Sequence, residues 1–111
     1  MSDGVEPSAG DGLHIETKYH GTEAIITVEG EFDLSATAPF WTHVTEALEA
    51  QPGSIVIHVR DLTFIDSSGL MALVRARDAA VEAGVAFRVR EPSPALRRIA
   101  ELAGVEDLLR D

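Results

Sequence analysis

A chain of 111 residues, 45% of them apolar and none of them cysteine, is the size of one domain and can build a core without disulfides or thiolate-held metals. Its formal net charge of -10, from 19 acidic against 9 basic residues, disfavours nucleic acid and anionic membrane surfaces as partners. No apolar run approaches the ~20 residues of a membrane span, and the N-terminus lacks the basic and apolar regions of a signal peptide. With no cysteine to suggest an oxidising compartment, a soluble cytoplasmic protein is expected.

Met1 to Gly12 is rich in Gly, Ser, Pro and acid, too poor in apolar residues to offset the entropy of ordering, and is predicted to be a disordered tail before one folded domain, residues 13–111. From Leu13 the period changes to two: Leu13, Ile15 and Thr17 alternate with His14, Glu16 and Lys18, as in a half-buried strand. After the turn His20-Gly21-Thr22, the β-branched run Ala24 to Val28 is predicted to pair back as an antiparallel hairpin. Gly30-Glu31-Phe32-Asp33-Leu34 is read as a break in that strand. Phe40, Val44, Ala47 and Leu48 then recur at helical spacing between Thr37 and Ala50, with Thr37 as the expected N-cap and Pro39 tolerated in the first turn.

Ser54 to Val59 is a nearly continuous β-branched run, the pattern of a central strand covered on both faces. A second helix is predicted to follow directly, from about Ser67 to Ala83, with Leu70, Leu73, Val74 and Val81 on one face and Gly84 ending it. Val85, Phe87 and Val89 alternate as a further strand. Strand, helix and strand make a right-handed crossover, so these two strands should be parallel. A last helix follows Pro92-Ser93-Pro94 with Leu96, Ile99, Ala100 and Ala103 as its stripe, while Val105 to Asp111 is ambiguous. The fold class is α/β, a mixed sheet of four or five strands with helices packed against it.

Asp66-Ser67-Ser68-Gly69 sits where a buried strand gives way to an amphipathic helix. The first amides of a helix lack internal partners and carry the positive end of the macrodipole, so they accept a carboxylate, a hydroxyl oxygen or a phosphate there. Taken alone, the four residues read more simply as a helix cap, with Asp66 or Ser67 at the N-cap position. The longer string Asp61-Leu62-Thr63-Phe64-Ile65-Asp66-Ser67-Ser68-Gly69-Leu70 resembles the signature of the anti-sigma-factor antagonists, bacterial members of the STAS domain family. Gly30-Glu31-Phe32-Asp33 is similar to the loop that lies beside the family's phosphorylation site.

That resemblance implies a STAS-like fold, phosphorylation at Ser68, and a partner-binding surface of Asp33, Asp66, Ser67, Ser68 and Gly69, with Asp33 near Ser68. It also implies that the unphosphorylated protein binds an anti-sigma factor that is a serine kinase and frees a sigma factor, that phosphorylation ends the binding, and that a serine phosphatase restores it. ATP belongs to the kinase, so no cofactor is expected on this chain. The alternative is a structural subunit of a larger signalling complex, or an accessory subunit of a transport ATPase. Enzymatic activity is not expected, because Ser67 and Ser68 have no recognisable histidine base or nucleophile elbow. Nor is a metal site, because His14, His20, His43 and His58 lack ligand spacing. Trp41 lies one position off the stripe of the first helix, as a partner anchor or as core margin. Arg75, Arg77, Arg97 and Arg98 read as solvated helix faces.

Overall fold

The computed structural model describes residues 12–109. The elements, in chain order, are β1 (Leu13–His20), β2 (Glu23–Phe32), a 3₁₀ turn (Leu34–Ala36), α1 (Thr37–Glu49), β3 (Ser54–His58), β4 (Leu62–Ile65), α2 (Ser67–Glu82), β5 (Ala86–Arg90), α3 (Pro94–Ala103) and a second 3₁₀ turn (Glu106–Leu109). The predicted tail lies outside the described residues except for Gly12, whose carbonyl accepts the Glu31 amide at 2.7 Å and so already belongs to the sheet.

Among the described residues the sheet has five strands in the order β1-β2-β3-β5, with β4 pairing β2 beyond the end of β3. β1 and β2 form the expected antiparallel hairpin, from Leu13 opposite Gly30 to His20 opposite Glu23. β2 with β3, β2 with β4, and β3 with β5 are parallel, so the sheet is mixed and the crossover through α2 joins parallel strands as predicted. β3 runs between β2 and β5 and buries Ile55, Val56 and Ile57 in succession, which is why its sequence shows no alternation.

One core lies between the sheet and the helices. Ala24, Ile26, Val28, Ile55 and Ile57 of the strands meet Phe40 and Val44 of α1, Leu70 and Leu73 of α2, and Leu96 and Ala100 of α3. Phe32 and Phe40 pack edge to face with ring centroids 5.0 Å apart, an arrangement that adds about 1 kcal/mol to their burial. The second 3₁₀ turn gives the ambiguous C-terminal segment its structure as far as Leu109 and inserts Leu108 into the same core; Arg110 and Asp111 lie outside the described residues.

Five sequence expectations are corrected. First, the Gly30 segment does not end its strand. β2 continues to Phe32 through a register shift between Gly30 and Glu31. Gly30 takes φ +103°, and a Cβ there would collide with the Gly12 carbonyl oxygen, so this glycine is the residue that lets the strand bulge and go on. Second, α2 does not follow β3 directly, because the four-residue β4 intervenes. Third, the N-cap of α1 is Ala36, not Thr37; Thr37 is already helical and its hydroxyl donates to the Leu34 carbonyl at 3.0 Å. Fourth, Val81 is 67% exposed, since α2 buries a face built instead on Leu70, Leu73, Ala76 and Ala80. Fifth, Ala103 is exposed, and the stripe of α3 is Leu96 and Ala100 with Ile99 at its margin.

Candidate functional site

Asp66 holds extended backbone angles and caps α2: its Oδ1 accepts the Gly69 amide at 3.1 Å. Ser67 and Ser68 are therefore the first two residues of the helix, where backbone amides have no internal acceptor. Ser67 is exposed and Ser68 half-buried. Gly69 is buried, and a Cβ there would sit 2.6 Å from the Phe32 carbonyl oxygen and 2.8 Å from Ile65 Cγ1. The glycine thus lets the start of α2 settle directly on the end of β2. The Asp66 amide donates to that same Phe32 carbonyl at 3.3 Å.

Through Phe32 the two motifs meet, since Asp33 is the next residue along the chain. Asp33 caps the 3₁₀ turn, its Oδ1 accepting the Ser35 amide at 3.0 Å and the Ser35 hydroxyl at 2.6 Å. The end of β2 and the start of α2 are thereby brought together. The Asp33 carboxylate itself is occupied by Ser35, and among the described residues no hydrogen bond joins it to Ser68.

Beside Ser68 a groove of about 400 Å³ runs between the two helices. Leu34, Thr37 and Trp41 line one wall, and Ser68, Met71 and Arg75 the other. Leu34 and Met71 are 72% and 52% exposed; single exposed apolar side chains also occur at Val81 and Leu102, but these two flank one groove, as on a surface that a partner covers. Trp41 is half-buried against the core margin, and the Arg75 guanidinium lies over its ring, 4.7 Å from the centroid. Arg75 is thus not a freely solvated side chain, and neither is Arg77, which reaches Asp107 at 3.2 Å and Asp78 at 3.5 Å.

The sequence reading missed Leu34, Met71 and Arg75 as members of this site. A signal was present for two of them: Met71 and Arg75 follow Ser68 at i+3 and i+7, on one helix face. Leu34 carried none, because its exposure follows from the 3₁₀ turn.

Fold and site together define an α/β binding domain, with a hydroxyl at a helix start beside an open apolar groove. Among the described residues no group of three or more His, Asp or Glu could hold a metal ion, and no helix is long and apolar enough to cross a membrane. A family model described as "Mlab, STAS domain" matches residues 15–110, and the chain belongs to the STAS domain family. It is 30% identical over 90 residues to a STAS-domain containing protein of Pseudomonas aeruginosa (strain UCBPP-PA14), covering 81% of this chain and 88% of that one. It is 27% identical over 103 residues to the anti-sigma-F factor antagonist RsfB of Mycobacterium tuberculosis (strain ATCC 25618 / H37Rv), covering 93% of this chain and 84% of RsfB.

Among solved structures, an anti-sigma factor antagonist from Mycobacterium paratuberculosis superposes with a TM-score of 0.75 at 24% identity, over 94% of this chain and 88% of that one. The Bacillus cell fate determinant SpoIIAA in its phosphorylated form superposes with a TM-score of 0.69 at 20% identity, over 89% of each chain. The sequence relatives from Paenibacillus polymyxa and Mycobacterium tuberculosis are named as anti-sigma-F factor antagonists, that is, regulators of another protein. A sulfate transporter family protein from Wolinella succinogenes shares the fold with a TM-score of 0.68.

Proposed function

We propose that this protein is an anti-sigma factor antagonist whose binding is switched off by phosphorylation of Ser68. In its unphosphorylated form it docks on a cytoplasmic anti-sigma factor that is also a serine kinase, and so frees a sigma factor. The kinase transfers the γ-phosphoryl group of ATP to the Ser68 oxygen, with loss of the hydroxyl proton and release of ADP, and a serine phosphatase reverses the step by hydrolysis. Asp33, Asp66, Ser67 and Ser68 form the centre of the docking surface; Gly69, buried against the Phe32 carbonyl, holds the helix start beneath them and is not itself presented.

The observation that carries this reading is that Ser68 occupies the second position of a capped helix, at the edge of the groove bordered by exposed Leu34 and Met71. A phosphate there meets free amides and the positive end of the helix, so the domain tolerates it. Asp66, two residues away, and the nearby Asp33 segment turn the modified site into a concentrated negative patch facing whatever docks. The likeness to RsfB, itself named an anti-sigma-F factor antagonist, and to SpoIIAA, whose structure exists in a phosphorylated form, supports the same reading.

The test is capture of the native partner from the source cytoplasm, followed by reconstitution with ATP and peptide mass spectrometry. Phosphate is expected on Ser68 of the wild type and on no residue of Ser68→Ala, which should still bind. Phosphate retained by Ser68→Ala at the wild-type level contradicts the assignment. Recovery of the protein in a very large assembly, or with a membrane-bound ATPase, would favour a structural or accessory subunit instead.

A further inference from the structure

We infer that phosphoserine at position 68 is clamped from within the molecule by Arg75, which leaves the Trp41 ring to do so and bridges the mouth of the groove. The inference rests on Ser68 being the modified residue. Ser68 and Arg75 belong to one helix, seven residues apart, which sets them about 10 Å apart along the axis and within about 20° of the same azimuth. Side chains on a helix lean toward its N-terminus; that carries an extended Arg75 toward Ser68 but tilts Ser68 itself away, so contact requires the added phosphate to turn down into the groove toward Arg75. Both line the same groove, and among the described residues Arg75 is the only cation that lines it.

Electrostatics selects this movement. The phosphate arrives beside Asp66, whose carboxylate already serves the Gly69 amide, and near the Asp33 segment, so repulsion drives it toward the groove side. Arg77, the next cation along α2, is held by Asp107 and Asp78. Arg75 is an exposed residue, and the contact of its guanidinium with the face of Trp41 is a weak one for an accessible pair. A dianionic phosphate offers the same guanidinium two parallel charge-assisted hydrogen bonds, the stronger attachment. The bridge passes over Met71 and Ala72, which lie between the two residues on the groove wall. It therefore covers the apolar floor that the unmodified protein presents and leaves one face of Trp41 bare. Phosphorylation then blocks docking by occupying the groove as well as by charge.

The chain has a single tryptophan, so its emission reports the surroundings of the Trp41 ring, and the Arg75→Gln variant separates the guanidinium contact from the rest. The experiment compares unmodified protein with protein carrying phosphoserine installed at position 68 during synthesis, in the wild type and in Arg75→Gln. Phosphate should shift Trp41 emission and the Arg75 side-chain Nε–H resonance in the wild type, and leave Trp41 emission unchanged in Arg75→Gln. Phosphorylated Arg75→Gln should also regain part of the partner affinity that the phosphorylated wild type loses. An unmoved Arg75 resonance, or an emission change of the same size in Arg75→Gln, would overturn the inference. Because the phosphate is installed without a kinase, these outcomes are separate from whether a cellular kinase modifies Ser68, which mass spectrometry answers.

Discussion

The two helices that border the groove begin in opposite ways. α2 starts on a carboxylate cap, with its third residue a glycine pressed onto the Phe32 carbonyl. α1 starts on Ala36, which has no acceptor to offer, after a short 3₁₀ turn whose leading side chain, Leu34, stands 72% exposed. The start that carries Ser68 is therefore fixed by backbone contact to the sheet, whereas the facing start is held by the Asp33 turn, the Thr37 hydroxyl on the Leu34 carbonyl and the buried Ala36. The difference suits the proposed switch, in which the Ser68 hydroxyl must be presented reproducibly.

That contrast can be broken most severely at Gly69. In Gly69→Ala the new methyl meets a backbone oxygen and the Ile65 side chain, neither of which can yield without moving β2 or β4. Chemical denaturation should show a loss of about 1–3 kcal/mol, whereas a loss under about 0.5 kcal/mol would mean that α2 is not clamped.

A smaller effect compares the two carboxylates. Asp66→Ala removes the cap of a sixteen-residue helix and should cost about 1 kcal/mol. Asp33→Ala removes only the cap of an exposed three-residue turn and should fall within about 0.5 kcal/mol. Equal losses would erase the distinction drawn between the two helix starts.

The smallest effect on stability is expected at Leu34, whose replacement by serine should leave the melting curve within about 0.5 kcal/mol of the wild type. Calorimetry with the partner should nevertheless show binding weakened by about tenfold, the ~1.4 kcal/mol of a contributing apolar contact. Unchanged affinity would remove the groove wall from the docking surface.

What the sequence made legible divides along the same line as the two helix starts. The hairpin, the central strand and the crossover through α2 were readable because each rests on a local period or run that tertiary contacts only reinforce. A cap at Asp66 or Ser67 was readable because capping is a local relation between residues a few positions apart, and the Gly69 amide on Asp66 Oδ1 decides between the two. β4 escaped because four residues with only Leu62 and Ile65 buried show no strand period, and its partner is a bulged stretch of β2. The extension of β2 through Gly30 escaped because a glycine and an acid normally signal a turn, and only the Gly12 carbonyl lying against Gly30 shows why the strand continues. The groove escaped for a further reason: Trp41 and Arg75 are 34 residues apart in the sequence, and only the packing of α1 beside α2 sets the guanidinium over the ring.

The central claim is that a charge at Ser68 ends partner binding without changing the fold. The most direct measurement is calorimetric titration of the partner with unmodified and Ser68-phosphorylated protein, with amide chemical shifts recorded on both forms. The account predicts an affinity at least about a hundredfold weaker after phosphorylation, a loss of roughly 3 kcal/mol. It also predicts shift changes confined to the start of α2, the Asp33 turn and the Trp41–Arg75 pair. Equal affinity of the two forms, or shift changes spread through all the strands, would contradict it.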